Sequence, residues 1–139
     1  MQPQSKTFAL ALKLLRARDR FESEIRGYLV ANSSPESEID EAISALRDLK
    51  FVDDDRLAAT EAERLSREKL WSRRRIRTHL EARGAELADS ALALLPDDEA
   101  VASKLAAKTR RHGPALARSL AAAGFDEHIV RSLCDSENG

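Results

Sequence analysis

Apolar residues recur along this chain at helical spacing. Phe8, Leu12 and Leu15 fall at i, i+4 and i+7 and predict a first helix, preceded by a polar, frayed segment at residues 1–6. A second helix, from near Glu22 to Ala31, turns Ile25 and Leu29 inward, with Gly27 a mild weakness in it. Asn32-Ser33-Ser34-Pro35 breaks the pattern, and Ser34 before Pro35 predicts an N-cap with proline at the first helical position. Ile39, Ile43, Leu46 and Leu49 then form the clearest stripe, with Glu36, Glu38 and Asp40 near the positive end of that helix. Asp53-Asp54-Asp55 offers caps for the next periodic segment, which carries Leu57, Ala58, Ala62 and Leu65. Ser72 predicts the cap of a helix bearing Ile76 and Leu80 and ended by Gly84. Short helices follow over 86–94, from Asp97-Asp98 through Val101 and Leu105, from the Gly113-Pro114 break to Gly124, and through Phe125, Ile129 and Leu133.

Three of these helices share a motif. An arginine-flanked segment carries two aliphatic residues four apart at Ile25/Leu29, Ile76/Leu80 and Leu116/Leu120. Gly84 and Gly124 stand four residues beyond the second aliphatic in the later copies, where a left-handed helix end needs glycine, and Ser33 stands there in the first. The copies lie 51 and 40 residues apart, read from positions 25, 76 and 116. That interval suits a unit of three short helices and excludes a heptad repeat. The expectation is an all-α chain of tandem three-helix units, three units and about nine helices, elongated and curved. The units run over 7–52, 53–96 and 97–135, with a tail at 136–139. A single compact helical bundle is the alternative that periodicity leaves open.

Composition supports helix: aromatic residues are 4% of the chain, and Ala, Leu, Arg and Glu dominate. No apolar run reaches the roughly 20 residues of a membrane span, and no signal peptide is evident. With a single cysteine, Cys134, read as inert packing, these features predict a cytoplasmic protein. The net charge of −1 conceals a separation of signs. Residues 19–55 hold eleven acidic against four basic side chains, residues 64–83 hold eight basic against two acidic, and residues 104–118 hold five basic and no acidic ones.

Catalytic chemistry finds no foothold: no nucleophile, base and orienter assemble, and His79, His112 and His128 read as surface or interface residues. No metal ligand set or cofactor motif appears; the Asp53-Asp54-Asp55 run lacks the alternating ligands and central glycine of a calcium loop. Binding chemistry is more legible. With Ile76 and Leu80 inward, Arg73, Arg74 and Arg77 point to solvent or a partner, Arg75 lies on the flank, and Glu68 and Glu81 are too few to neutralise the eight cations. Guanidinium forks suit phosphate and carboxylate alike. Candidate partner-binding or nucleic-acid-binding residues are therefore Arg64, Arg67, Arg73, Arg74, Arg77 and Arg83, extended by Lys104, Lys108, Arg110 and Arg111. Trp71, isolated in an aromatic-poor chain, reads as a packing anchor.

Three stretches, in order, resemble the RecX family, regulators of the bacterial RecA recombinase. Leu46-Arg47-Asp48-Leu49-Lys50-Phe51-Val52-Asp53-Asp54-Asp55-Arg56-Leu57-Ala58 is similar to that family's turn from first to second unit. Trp71-Ser72-Arg73-Arg74-Arg75-Ile76-Arg77-Thr78-His79-Leu80-Glu81-Ala82-Arg83-Gly84 resembles its second-unit basic helix, and Ala123-Gly124-Phe125-Asp126 with Ile129 and Leu133 its closing helix. The resemblance implies tandem three-helix repeats, no enzymatic activity and a cytoplasmic role in recombination, DNA repair and the SOS response. It implies binding in the groove of the RecA filament. DNA, single- or double-stranded, is a further candidate partner, and the chain is expected to be a monomer. Phe21 departs from the family's small capping residue, and the third unit is alanine-rich. A nonspecific nucleic-acid-binding repeat protein or an interaction scaffold are the competing readings.

Overall fold

The structure, a computed structural model, describes residues 5–86 and 89–138. Among these residues it is all-helical, with no strand. In chain order the helices are α1 (Lys6–Ala17), α2 (Glu22–Ala31), α3 (Glu36–Asp48), α4 (Asp54–Arg64), α5 (Arg73–Ala82), α6 (Asp89–Ala93), α7 (Asp98–Thr109), α8 (Gly113–Ala122) and α9 (Glu127–Asn138). A π-helical segment, Leu65–Lys69, extends α4. The described chain divides into two compact units. One comprises the residues up to Ala58 with Glu81–Glu86, and the other Ala59–Leu80 with those from 89 on.

In the first unit, Phe8 and Ala11 of α1, Ile25 and Leu29 of α2, and Ile39, Ala42, Ile43 and Leu46 of α3 form the core, closed by Val52. The predicted α3 stripe is corrected at its end. Leu49 is 42% exposed because α3 stops at Asp48, and Ala42 and Ala45 occupy the inward positions instead. Lys50 takes a left-handed conformation at φ 63°, and the Phe51 N–H donates to the Leu46 carbonyl at 2.9 Å, a Schellman closure. The Ser34 cap is also corrected. Ser33 is left-handed, the Ser34 N–H donates to the Leu29 carbonyl at 3.0 Å, and Ser34 therefore closes α2 while α3 opens behind Pro35.

The acidic triplet splits its work between two helices. Asp53 accepts from the Arg56 N–H at 3.1 Å and caps α4, while Asp54 accepts from the Glu22 N–H at 2.9 Å at the start of α2. Phe21, which departs from the small capping residue of the resemblance, stands at the N-cap of α2 and is fully buried. Its N–H donates to Glu24 Oε1 at 2.9 Å, and the Arg83 guanidinium lies 4.9 Å over its ring. Arg83 also pairs with Glu24 at 3.1 Å, both side chains four-fifths buried.

In the second unit Leu70, Val101, Ala102, Leu116, Leu120, Phe125 and Ile129 make the core, with Trp71, Leu105, Leu133 and Cys134 packed against it. Of the short helix predicted over 86–94, Asp89–Ala93 is helical and residues 87–88 lie outside the described residues. All six aliphatic positions of the repeated motif, in α2, α5 and α8, have zero exposure. Its third element holds too: Ser33, Gly84 and Gly124 all have positive φ, at 61°, 101° and 95°.

Both glycine turns sit tightly on a serine. A Cβ on Gly84 would lie 1.8 Å from Ser23 Oγ, and one on Gly124 would lie 2.4 Å from Ser72 Oγ and 2.7 Å from Arg75 Cβ. Gly27, in the middle of α2, has open space at that position. Gly124→Ala is therefore expected to destabilise by about 2–4 kcal/mol, from left-handed strain and the close approach together. Gly27→Ala should stabilise by about 0.5–1 kcal/mol from helix propensity. Urea unfolding of the two variants checks the opposite signs.

Acid sensitivity follows from the first unit. The Arg47 guanidinium, through its hydrogen bonds, holds Glu22 below its ordinary 4.5. For Glu24, burial is the largest influence and pushes upward, but the bonds from Arg83 and the Phe21 N–H outweigh it and the net displacement is downward. A carboxyl lowered in the folded state contributes stability above its unfolded value and loses it as pH falls through the folded value. Asp54, raised above 3.8 chiefly by burial, acts with the opposite sign and regains stability on protonation. With two carboxyls against one, the melting temperature should fall on acidification below about pH 4.5. Glu24→Gln should flatten that fall; melting curves that drop in parallel with those of the parent would contradict the assignment.

Candidate functional site

Helix α5 starts under two caps: Ser72 Oγ accepts from the Arg75 N–H at 3.1 Å, and the Asp98 carboxylate from the Arg73 N–H at 3.0 Å. With the facing thus fixed by buried Ile76 and Leu80, the arginines of this helix take three different roles. Arg73 is half-buried and donates to the carbonyls of Ala93, the last residue of α6, at 3.5 Å, and of Leu95, just beyond it, at 2.5 Å. Its guanidinium also lies 3.5 Å from Asp97. Arg74 is exposed and donates to the Gly124 carbonyl at 3.1 Å, while Arg75 donates to the Ala122 carbonyl and lies 4.0 Å over the Trp71 ring. Arg77 pairs with Asp89. The arginine run thus supplies donors to the free carbonyls at helix C-termini, where cations also meet the negative end of the helix dipole.

That result revises the expected surplus of unneutralised charge. Arg64 pairs with Glu61 at 2.8 Å and with Glu68 at 3.4 Å, and Arg67 with Glu63 at 2.9 Å and with Glu68 at 3.7 Å. Glu68 and Glu81 are not the only acidic neighbours of this run. The helical i,i+3 and i,i+4 carboxylates preceding it, and Asp89 and Asp97 following it in sequence, supply the rest. Arg83, as described, is held by Glu24 in the first unit.

The second basic run differs. Lys104, Lys108 and Arg110 are exposed and have no ionic or hydrogen-bonded side-chain partner among the described residues. Arg110 ends α7 in a left-handed conformation at φ 56°. Arg111 donates to Ser119 Oγ at 2.8 Å. Lys69 and Arg118, absent from the sequence-based selection, are exposed and unpartnered in the same way. The signal that could have found Arg118 is the lack of any acidic residue from position 100 to 125; Lys69, next to Glu68, carries no such signal. Of the ten selected cations, the structure gives Arg64, Arg67, Arg73, Arg77 and Arg83 an internal carboxylate, and leaves Lys104, Lys108 and Arg110 free to meet an external anion. Trp71 is packed on the core with His79 edge-on at 5.3 Å between ring centres, which agrees with a packing role.

Among the described residues no helix is long and apolar enough to cross a membrane. No protein-family model matches the chain, and no curated protein does. Solved structures do. RecX from Lactobacillus salivarius superposes with a TM-score of 0.75 at 23% identity, covering 96% of this chain and 95% of that one. A further structure of regulatory protein RecX gives 0.74 at 25% identity over 94% of this chain and 72% of that one. The all-helical fold of this chain is thus shared with these RecX structures along nearly its whole length.

Proposed function

We propose that this chain is a non-enzymatic regulator that binds the RecA filament on single-stranded DNA and inhibits its ATPase and recombinase activities in the cytoplasm. The observation that carries this reading is the likeness, over 94% of the chain, to a protein described as regulatory protein RecX. The charge arrangement supports it. A filament presents nucleic acid and charged protein together, and the unpartnered Lys104, Lys108 and Arg110 provide cations whose pairing with such a surface breaks no internal ion pair. Arg73 and Arg77 are less suited, since each would first have to leave its own carboxylate.

The test is RecA ATP hydrolysis on single-stranded DNA at fixed moderate salt, titrating the parent and a variant with Lys104→Ala, Lys108→Ala and Arg110→Asn. Asparagine is used at the last position because it tolerates the left-handed backbone. The parent should suppress hydrolysis, and the variant should need roughly tenfold more protein for the same effect, in line with the loss of several charge contacts. Unchanged hydrolysis with the parent at several-fold molar excess would overturn the reading.

A further inference from the structure

The second unit contains a cleft of about 380 Å³ that none of the roles above uses. It lies where the start of α5, the C-terminal half of α7 and the end of α8 meet. Three cations line it, Lys69, Arg75 and Arg111, and no carboxylate does. Leu105, Ala122 and Ala123 give it an apolar wall beside Trp71. Its size is that of a small-ligand or side-chain pocket.

The cations are fixed in place by local structure. Buried Leu65 and Leu70 are five residues apart, a spacing that the π turn between them accommodates and an α-helix does not. The chain then leaves this turn through Leu70 in a left-handed conformation, φ 55°, which a branched side chain adopts only when its surroundings impose it. This places exposed Lys69 beside Trp71. Arg75 is held by the Trp71 ring and the Ala122 carbonyl, and Arg111 by Ser119 Oγ. Each guanidinium has only part of its donor set committed, so donors remain for an incoming anion.

We propose that this cleft binds an acidic peptide segment, its carboxylates on Lys69, Arg75 and Arg111 and an apolar side chain between them on the Leu105, Ala122 and Ala123 wall. Nucleic acid fits less well. A sugar-phosphate backbone has no apolar group for that wall, and the aromatic ring on which a base would stack lies under the Arg75 guanidinium and against the core. The site goes beyond the RecA reading and stands whether or not that protein is the partner.

The test is fluorescence anisotropy of the full chain with a labelled peptide of three Glu-Leu repeats, alongside a peptide of three Glu-Gly repeats and a six-residue oligothymidylate. The Glu-Leu peptide should bind saturably and more tightly than both controls. A variant with Lys69→Ala and Arg111→Ala, both exposed positions, should bind it about tenfold more weakly with an unchanged melting temperature. Absence of saturable binding at millimolar peptide would overturn the proposal, as would equal binding by parent and variant. Tighter binding of oligothymidylate that is lost in the variant would reassign the cleft to nucleic acid. None of these readouts contains RecA, so failure here is separable from failure of the ATPase test.

Discussion

The close seating of a left-handed glycine turn on the serine at the start of a helix is the constraint on which the rest of each unit depends. In the first unit the Ser23 hydroxyl donates to the Arg83 carbonyl at 3.1 Å, and in the second the Ser72 N–H donates to the Ala123 carbonyl at 2.9 Å. The absence of a side chain at Gly84 and Gly124 is what admits these bonds. Once each turn is seated, the neighbouring guanidinium groups can reach their acceptors. Arg83 meets Glu24 and the Phe21 ring in the one unit, and Arg74 and Arg75 meet the carbonyls of Gly124 and Ala122 in the other. The twice-used contact explains why the glycine, the preceding aliphatic pair and the flanking arginines recur together.

Arginine accordingly does two kinds of work in this chain. In and around α5 it meets helix-end carbonyls and carboxylates of the same chain, most of them at the surface. From Lys104 onward the cations have few internal acceptors, and their charge is turned outward. A guanidinium already bound to a carbonyl or carboxylate gains little from an external anion, because one contact replaces another; an unpartnered lysine on a helix surface gains the whole interaction less its desolvation. The positive run richest in arginine is therefore the more structural one, and the sparser second run is the better candidate for a working surface.

Much of this was legible in the residues. The aliphatic pairs at Ile25/Leu29, Ile76/Leu80 and Leu116/Leu120, the three left-handed positions, the caps at Asp53 and Ser72 and the boundaries of α2 follow from periodicity and local chemistry. The RecX resemblance agrees with the fold shared with the RecX structures along nearly the whole chain. What escaped was set by contacts distant in sequence or by competition between local motifs. Ser34 looked like a cap until the closure of α2 claimed its N–H, and Leu49 continued a stripe that ended one residue before it. The π turn hid inside an otherwise helical pattern. The partners of Arg73 at Leu95 and of Arg75 at Ala122 lie 22 and 47 residues away, beyond the reach of any i,i+4 argument.

The central claim is that the outward-facing cations of the second unit are the surface this protein applies to a RecA filament. Hydrogen exchange of the free protein and of the protein bound to RecA on single-stranded DNA, compared by peptide mass spectrometry, addresses it most directly. The account predicts slowed exchange over residues 104–123, with the acidic α2 and α3 unchanged. Protection confined to α2 and α3, or exchange identical in the two states at saturating filament, would contradict it.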